Sequence, residues 1–208
     1  MDSQAILEKT SSVLETVVRF FENGQFDLAR ESLQQHLEAN PDDVAALHLL
    51  GATFARQNDF INAEKAFKRE LQIDPSRVDA FFNLGLIHSQ QNRLPEAIED
   101  FEHVIELRPQ DVQALNDLGV IHFKLGNLDI GELLFSKALA LNPAFKDAFL
   151  NLFELCWNKA EYNRALEHAY NYLKELDRTV RATAENDFAA PGQAKAPTQP
   201  KRTLEIKR

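Results

Sequence analysis

Apolar residues recur along this chain at helical spacing, in short blocks separated by polar turns. The stretch "VDAFFNLGLIHSQQ" places Val78, Phe81, Leu84 and Ile87 on one side of a helix. "NRLP" follows as a turn, with Pro95 compatible with the first turn of a second helix. "EAIEDFEHVIEL" then resumes the same periodicity through Ala97, Ile98, Phe101, Val104 and Ile105. Pro109 cannot continue a helix and closes the block. The pattern predicts two helices joined by a tight turn.

The block is written more than once. "DLGVIHFKLGN" (Asp117 to Asn127), "NLGLIHSQQNR" (Asn83 to Arg93) and "LLGATFARQND" (Leu49 to Asp59) stand 34 residues apart. Pro41, Pro75, Pro109 and Pro143 keep the same 34-residue step, and Leu33, Phe67, Phe101 and Phe135 precede them in one column. Ala29, Ala63, Ala97 and Gly131 form a second column, and Gly51, Gly85 and Gly119 a third. Small residues suit places where helix axes approach closely. Gly85 is expected to meet Ala97, and Phe101 to fill the wedge toward the following block. Neither helix of a hairpin can bury its apolar stripe alone, so the hairpins must stack.

These columns resemble the tetratricopeptide repeat family, whose 34-residue unit carries small residues, a late Phe and a closing Pro. The resemblance implies an all-α fold, a right-handed α-solenoid of stacked antiparallel hairpins over residues 1–184. About five repeats are expected, at 10–41, 44–75, 78–109, 112–143 and 146–184. The end units depart from the pattern. Val17 and Phe153 stand in the glycine column, and Asp177 stands where the fifth proline would fall. The first helix is expected to begin near Asp2 or Ser3, and the last, with Tyr162, Ala165, Leu173 and Leu176, to overrun its unit. Residues 185–208, rich in Pro, Ala and Lys, are expected to form a disordered tail or linker.

Composition narrows the function classes. Net charge is −9, divided as −12 over residues 1–176 and +3 over 177–208. An acidic body argues against a duplex nucleic-acid partner, which needs clustered cations. The single cysteine, Cys156, cannot form an internal disulfide. The opening "MDSQAILEKTSSVLE" has no basic, apolar leader pattern, and no apolar run is long enough to cross a bilayer. A cytoplasmic protein without membrane insertion is the expectation.

Catalytic patterns are sparse. The sequence has no phosphate-binding glycine loop and no nucleophile elbow. His88 and His122, one repeat apart, read as hydrogen-bonded side chains rather than a metal pair. Glu96, Glu99, Asp100, His103 and Glu106 read as the solvent face of a second helix, and Cys156 as core. A non-enzymatic protein that needs no cofactor is expected.

The resemblance implies that a concave wall made by first helices binds a peptide or protein segment. Its columns in this sequence hold His48 and Arg56; Phe82, Asn83, Leu86 and Gln90; Asn116, Asp117, Val120 and Lys124; and Leu150, Asn151, Glu154 and Trp157. Asn83, Asp117 and Asn151 share one column, with Asn116 adjacent. Carboxamides both donate to and accept from a peptide backbone, so such a ladder can hold main chain of any sequence. Phe82, Leu86, Val120, Leu150 and Trp157 offer apolar anchors, although Trp157 could equally pack on the last helix. An interaction scaffold is the leading expectation. The alternatives are an accessory module of a larger glycosyltransferase or methyltransferase, and self-association through Tyr170, Leu173 and their neighbours.

Overall fold

The computed structural model describes residues 3–188 of the chain. Among the described residues there are ten α-helices in five antiparallel pairs: α1 (Ser3–Glu22) with α2 (Phe26–Ala39), α3 (Val44–Arg56) with α4 (Phe60–Ile73), α5 (Val78–Gln90) with α6 (Leu94–Leu107), α7 (Val112–Lys124) with α8 (Leu128–Leu141), and α9 (Lys146–Asn158) with α10 (Tyr162–Phe188). The protein is an all-α solenoid. α1 begins at Ser3, and α10 runs four residues past the expected boundary at 184; residues 189–208 of the expected tail lie outside the described residues.

Local sequence sets the helix ends. Asp43, Asp59 and Asp111 accept hydrogen bonds from the backbone N–H of Ala46, Asn62 and Ala114, capping α3, α4 and α7. Within each hairpin the chain reverses through one left-handed residue. These are Gly24, Asn58, Asn92, Gly126 and Ala160, again 34 residues apart, with φ of +71°, +59°, +60°, +80° and +58°. Glycine and asparagine tolerate that conformation, whereas alanine strains its Cβ there.

Inside each hairpin the glycine column makes room for an aromatic ring. A Cβ on Gly51, Gly85 or Gly119 would fall 2.8, 2.9 or 2.6 Å from the ring of Phe67, Phe101 or Phe135. Gly85 therefore faces Phe101 of its own hairpin, and the same ring shares a core cluster with Ala114, Leu115 and Leu118 of the next, as the wedge expected from sequence requires. Small residues of the two helices do meet in the fourth hairpin, where a Cβ on Gly131 would lie 3.3 Å from the Gly119 carbonyl oxygen. The end units exchange bulk. Val17 stands opposite the smaller Leu33 in the first, and both are fully buried. In the fifth the large residue moves to the first helix as Phe153, and the phenylalanine column holds Ala169.

Three of the four successive pairs of first helices touch, α1 with α3, α3 with α5 and α7 with α9, and no comparable contact joins successive second helices among the described residues. A row of hairpins packed closer on one side bends toward that side. The odd-numbered helices therefore form the inner wall.

Candidate functional site

The residues that the sequence pattern assigns to the inner wall differ in their surroundings. Leu86 and Leu150 are exposed at 41% and 47%, and Val120 between them is half-buried. Phe82 is half-buried with its ring edge-on to Phe101 at 5.6 Å. Gln90, Lys124, Glu154 and Arg56 are exposed, and the Arg56 guanidinium lies over the rings of Phe21 and Phe26 at 5.7 and 5.8 Å. Trp157 retains 52% exposure while its indole stands edge-on to Tyr162 at 4.8 Å and beside Phe153 at 5.9 Å. It is both an open surface and a contact of the last helix.

The amides are partly engaged with one another. Asn151 Nδ2 donates to Asn116 Oδ1 at 2.9 Å, and Asn116 Nδ2 donates to Asp117 Oδ1 at 3.1 Å. A three-residue chain of side chains thus joins α9 to α7. Asn83 Nδ2 donates to the Asp79 carbonyl oxygen of its own helix at 2.8 Å. Burial pushes the Asp117 carboxyl up to about 6, with Asp147 and Asp111 adding to the effect and the Asn116 hydrogen bond opposing it. Asn116 is itself buried, whereas Asn83 and Asn151 are half-buried and keep an unused share of their donor and acceptor capacity.

His48 turns away from a simple groove role. Its Nδ1 lies 3.1 Å from Glu70 on α4, and its ring packs edge-on to Phe67 at 5.6 Å. Glu70 is fully buried and also accepts from Arg77 Nε at 2.8 Å. His88 is likewise committed to structure. It is buried, with Nδ1 2.6 Å from Asp100, while Nε2 stands 3.4 Å from Glu64 outside good hydrogen-bond geometry. Asp100, grouped from sequence with solvent-facing carboxylates, is thus turned inward onto α5. His122 is 3.3 Å from Asn127, so the two histidines serve separate partners. Cys156 is buried in the core, and burial pushes its thiol up. Among the described residues no group of three or more His, Cys, Asp or Glu is gathered as for a metal ion. No helix among them is long and apolar enough to cross a membrane.

One polar column escaped the sequence reading. Arg30 reaches Gln57 at 3.2 Å, Glu64 accepts from Arg93 at 2.7 Å, and Glu132 accepts from Lys159 at 2.9 Å and from Arg164. These residues stand 34 or 68 apart and each ties one hairpin to the next. Burial raises the Glu64 carboxyl, but its hydrogen bonds from Arg93 and Lys68, with the His88 ring nearby, outweigh this and hold it at about 2. The 34-residue recurrence of long polar side chains was the available signal.

Three tetratricopeptide repeat patterns match residues 14–78, 50–116 and 112–145, together well over half of the chain. Solved structures share the fold. A MamA protein superposes with a TM-score of 0.74 at 20% identity, covering 91% of this chain and 99% of that one. MamA 41-end from Desulfovibrio magneticus RS-1 gives 0.73 at 22% identity, covering 82% and 96%. PilF of Pseudomonas aeruginosa gives 0.71 at 20% identity, covering 80% and 76%. No curated protein sequence matches the chain.

Proposed function

The chain belongs to the tetratricopeptide repeat family, and from that premise we propose that this protein-interaction scaffold holds a segment of a partner protein against the wall of α5, α7 and α9. The role is binding without chemistry. One observation carries the reading: Leu86, Val120 and Leu150 offer apolar side chains across three hairpins, beside the half-buried amides of Asn83 and Asn151. Apolar side chains of a ligand seat on the strip, and the amides take up its backbone N–H and C=O groups. The wall's ends suit a polar surround. Asp79 and Asp147 lie in the first turns of α5 and α9, and Arg56 and Lys124 in the last turns of α3 and α7, as helix dipoles favour.

Selection of peptides from a displayed random library against the full chain tests the reading. Selected peptides are expected to lose at least about tenfold in affinity toward Leu86→Lys and Leu150→Lys variants of unchanged helicity. Peptides that bind both variants as tightly as the parent would place the ligand elsewhere.

A further inference from the structure

In the first four hairpins the second helix offers a fixed set of positions to the hairpin that follows. Leu37, Leu71, Ile105 and Leu139 form one such column, each half-buried against a core cluster that extends into the next unit. Arg30, Glu64 and Glu132 belong to a second, the bridging column described above. In α10 these columns hold Leu173 and Leu166. Both are apolar and exposed, at 63% and 61%, and Tyr170 beside them is exposed at 67%. That position bonds its successor through polar groups in the first, second and fourth hairpins and is the half-buried Ile98 in the third; in α10 it is an exposed leucine. Among the described residues nothing covers this face.

The flank of the face indicates what does. Leu166 and Leu173 are seven residues apart, as are Glu167 and Lys174 along the same edge of α10. Neither Glu167 nor Lys174 has an ion-pair partner among the described residues, whereas Arg164, Arg178 and Arg181 are paired with Glu132 and Glu161, Glu175 and Asp177. Two antiparallel helices related by a two-fold axis meet like edge to like edge, and a seven-residue step keeps one seam in register. Centred between residues 170 and 171, that arrangement sets Glu167 against Lys174 of the other copy, and Lys174 against its Glu167. The same register brings the Tyr170 side chains of the two copies together beside the axis. One edge thus satisfies itself twice.

We propose that α10 is a self-docking helix, pairing antiparallel with α10 of a second copy through Leu166, Tyr170 and Leu173, with reciprocal Glu167–Lys174 ion pairs. The seam lies on the second helix of the last hairpin, so pairing leaves the inner wall open and presents two walls from one particle. It stands independently of what that wall binds.

Sedimentation or light scattering on the full 208-residue chain over a wide concentration range tests this. A monomer–dimer equilibrium is expected. Leu166→Ser with Leu173→Ser should remove the dimer while circular dichroism keeps its helical signal, since both side chains are exposed. Glu167→Lys and Lys174→Glu should each weaken self-association about tenfold by placing like charges opposite one another. An equimolar mixture of those two variants should recover a mixed dimer, because each chain then meets its opposite. A monomer at every concentration would overturn the proposal, as would a dimer indifferent to the leucine changes, or a charge-reversed mixture no tighter than its separate components. A monomer in which residues 189–208 protect α10 from hydrogen exchange would assign the face to the chain's own end instead.

Discussion

Gly119 and Phe135 occupy one space: a Cβ on the glycine would sit 2.6 Å from the edge of the ring. The ring is fully buried, so it has nowhere to retreat. Gly119→Ala should therefore destabilise the protein by about 1–3 kcal/mol, despite the better helix propensity of alanine. Adding Phe135→Leu should return part of that loss, since the first hairpin already balances Val17 against Leu33. Urea unfolding of the three variants checks both steps.

Ala160 holds φ at +58° in a column otherwise filled by Gly24, Asn58, Asn92 and Gly126. Replacing it with glycine should stabilise the fifth hairpin by about 0.5–1 kcal/mol, because the relieved Cβ strain exceeds the added freedom of the unfolded chain. A raised midpoint in thermal or urea unfolding is the expected readout. Ala63→Gly, in the interior of α4, should move the midpoint the other way.

Much of the architecture was legible in the sequence, for a physical reason. A repeat imposes one packing problem several times, so the columns of Gly51, Gly85 and Gly119 and of Phe67, Phe101 and Phe135 report shared constraints. What they left open was which atoms meet. That Phe101 covers Gly85 of its own hairpin while also packing against α7 depends on side-chain direction, which spacing alone does not specify. The wall was legible in outline, since first-helix columns face inward wherever first helices approach one another. The diversion of His48 to Glu70 and of Asp100 to His88 was not, because each depends on a partner some 12 to 22 residues away that carries no periodic mark. The inverted pair of Phe153 and Ala169 was visible only as a departure from pattern.

Burial raises the Asp117 carboxyl to about 6 from an ordinary 3.8. Between those values the folded protein retains a proton that the unfolded chain has released, so stability should fall as pH rises through that window. Above about pH 6 the penalty is constant, and at most about 3 kcal/mol. Glu64 acts in the opposite sense, but its stabilisation is lost only as pH falls below 4.5 toward about 2. Asp117→Asn should therefore flatten the stability profile between pH 4 and 6 and raise stability at pH 7. Unfolding midpoints of both proteins across that range decide it.

Glu70 is buried on α4 and depends on Arg77 and His48 for its hydrogen bonds. Arg77→Ala should cost about 2–4 kcal/mol by leaving that carboxylate without its guanidinium. Glu70→Gln in the Arg77→Ala background should recover part of the loss by removing the charge. Guanidinium-free chemical unfolding, which avoids screening by salt, measures the pair.

Titration of a library-selected peptide into isotope-labelled protein shows whether the inner wall of α5, α7 and α9 receives a partner segment. The largest amide and methyl shifts are expected on Phe82, Leu86, Asn116, Val120, Leu150 and Asn151. Shifts confined to the outer faces of α6 and α8, with those six residues unmoved, would contradict it.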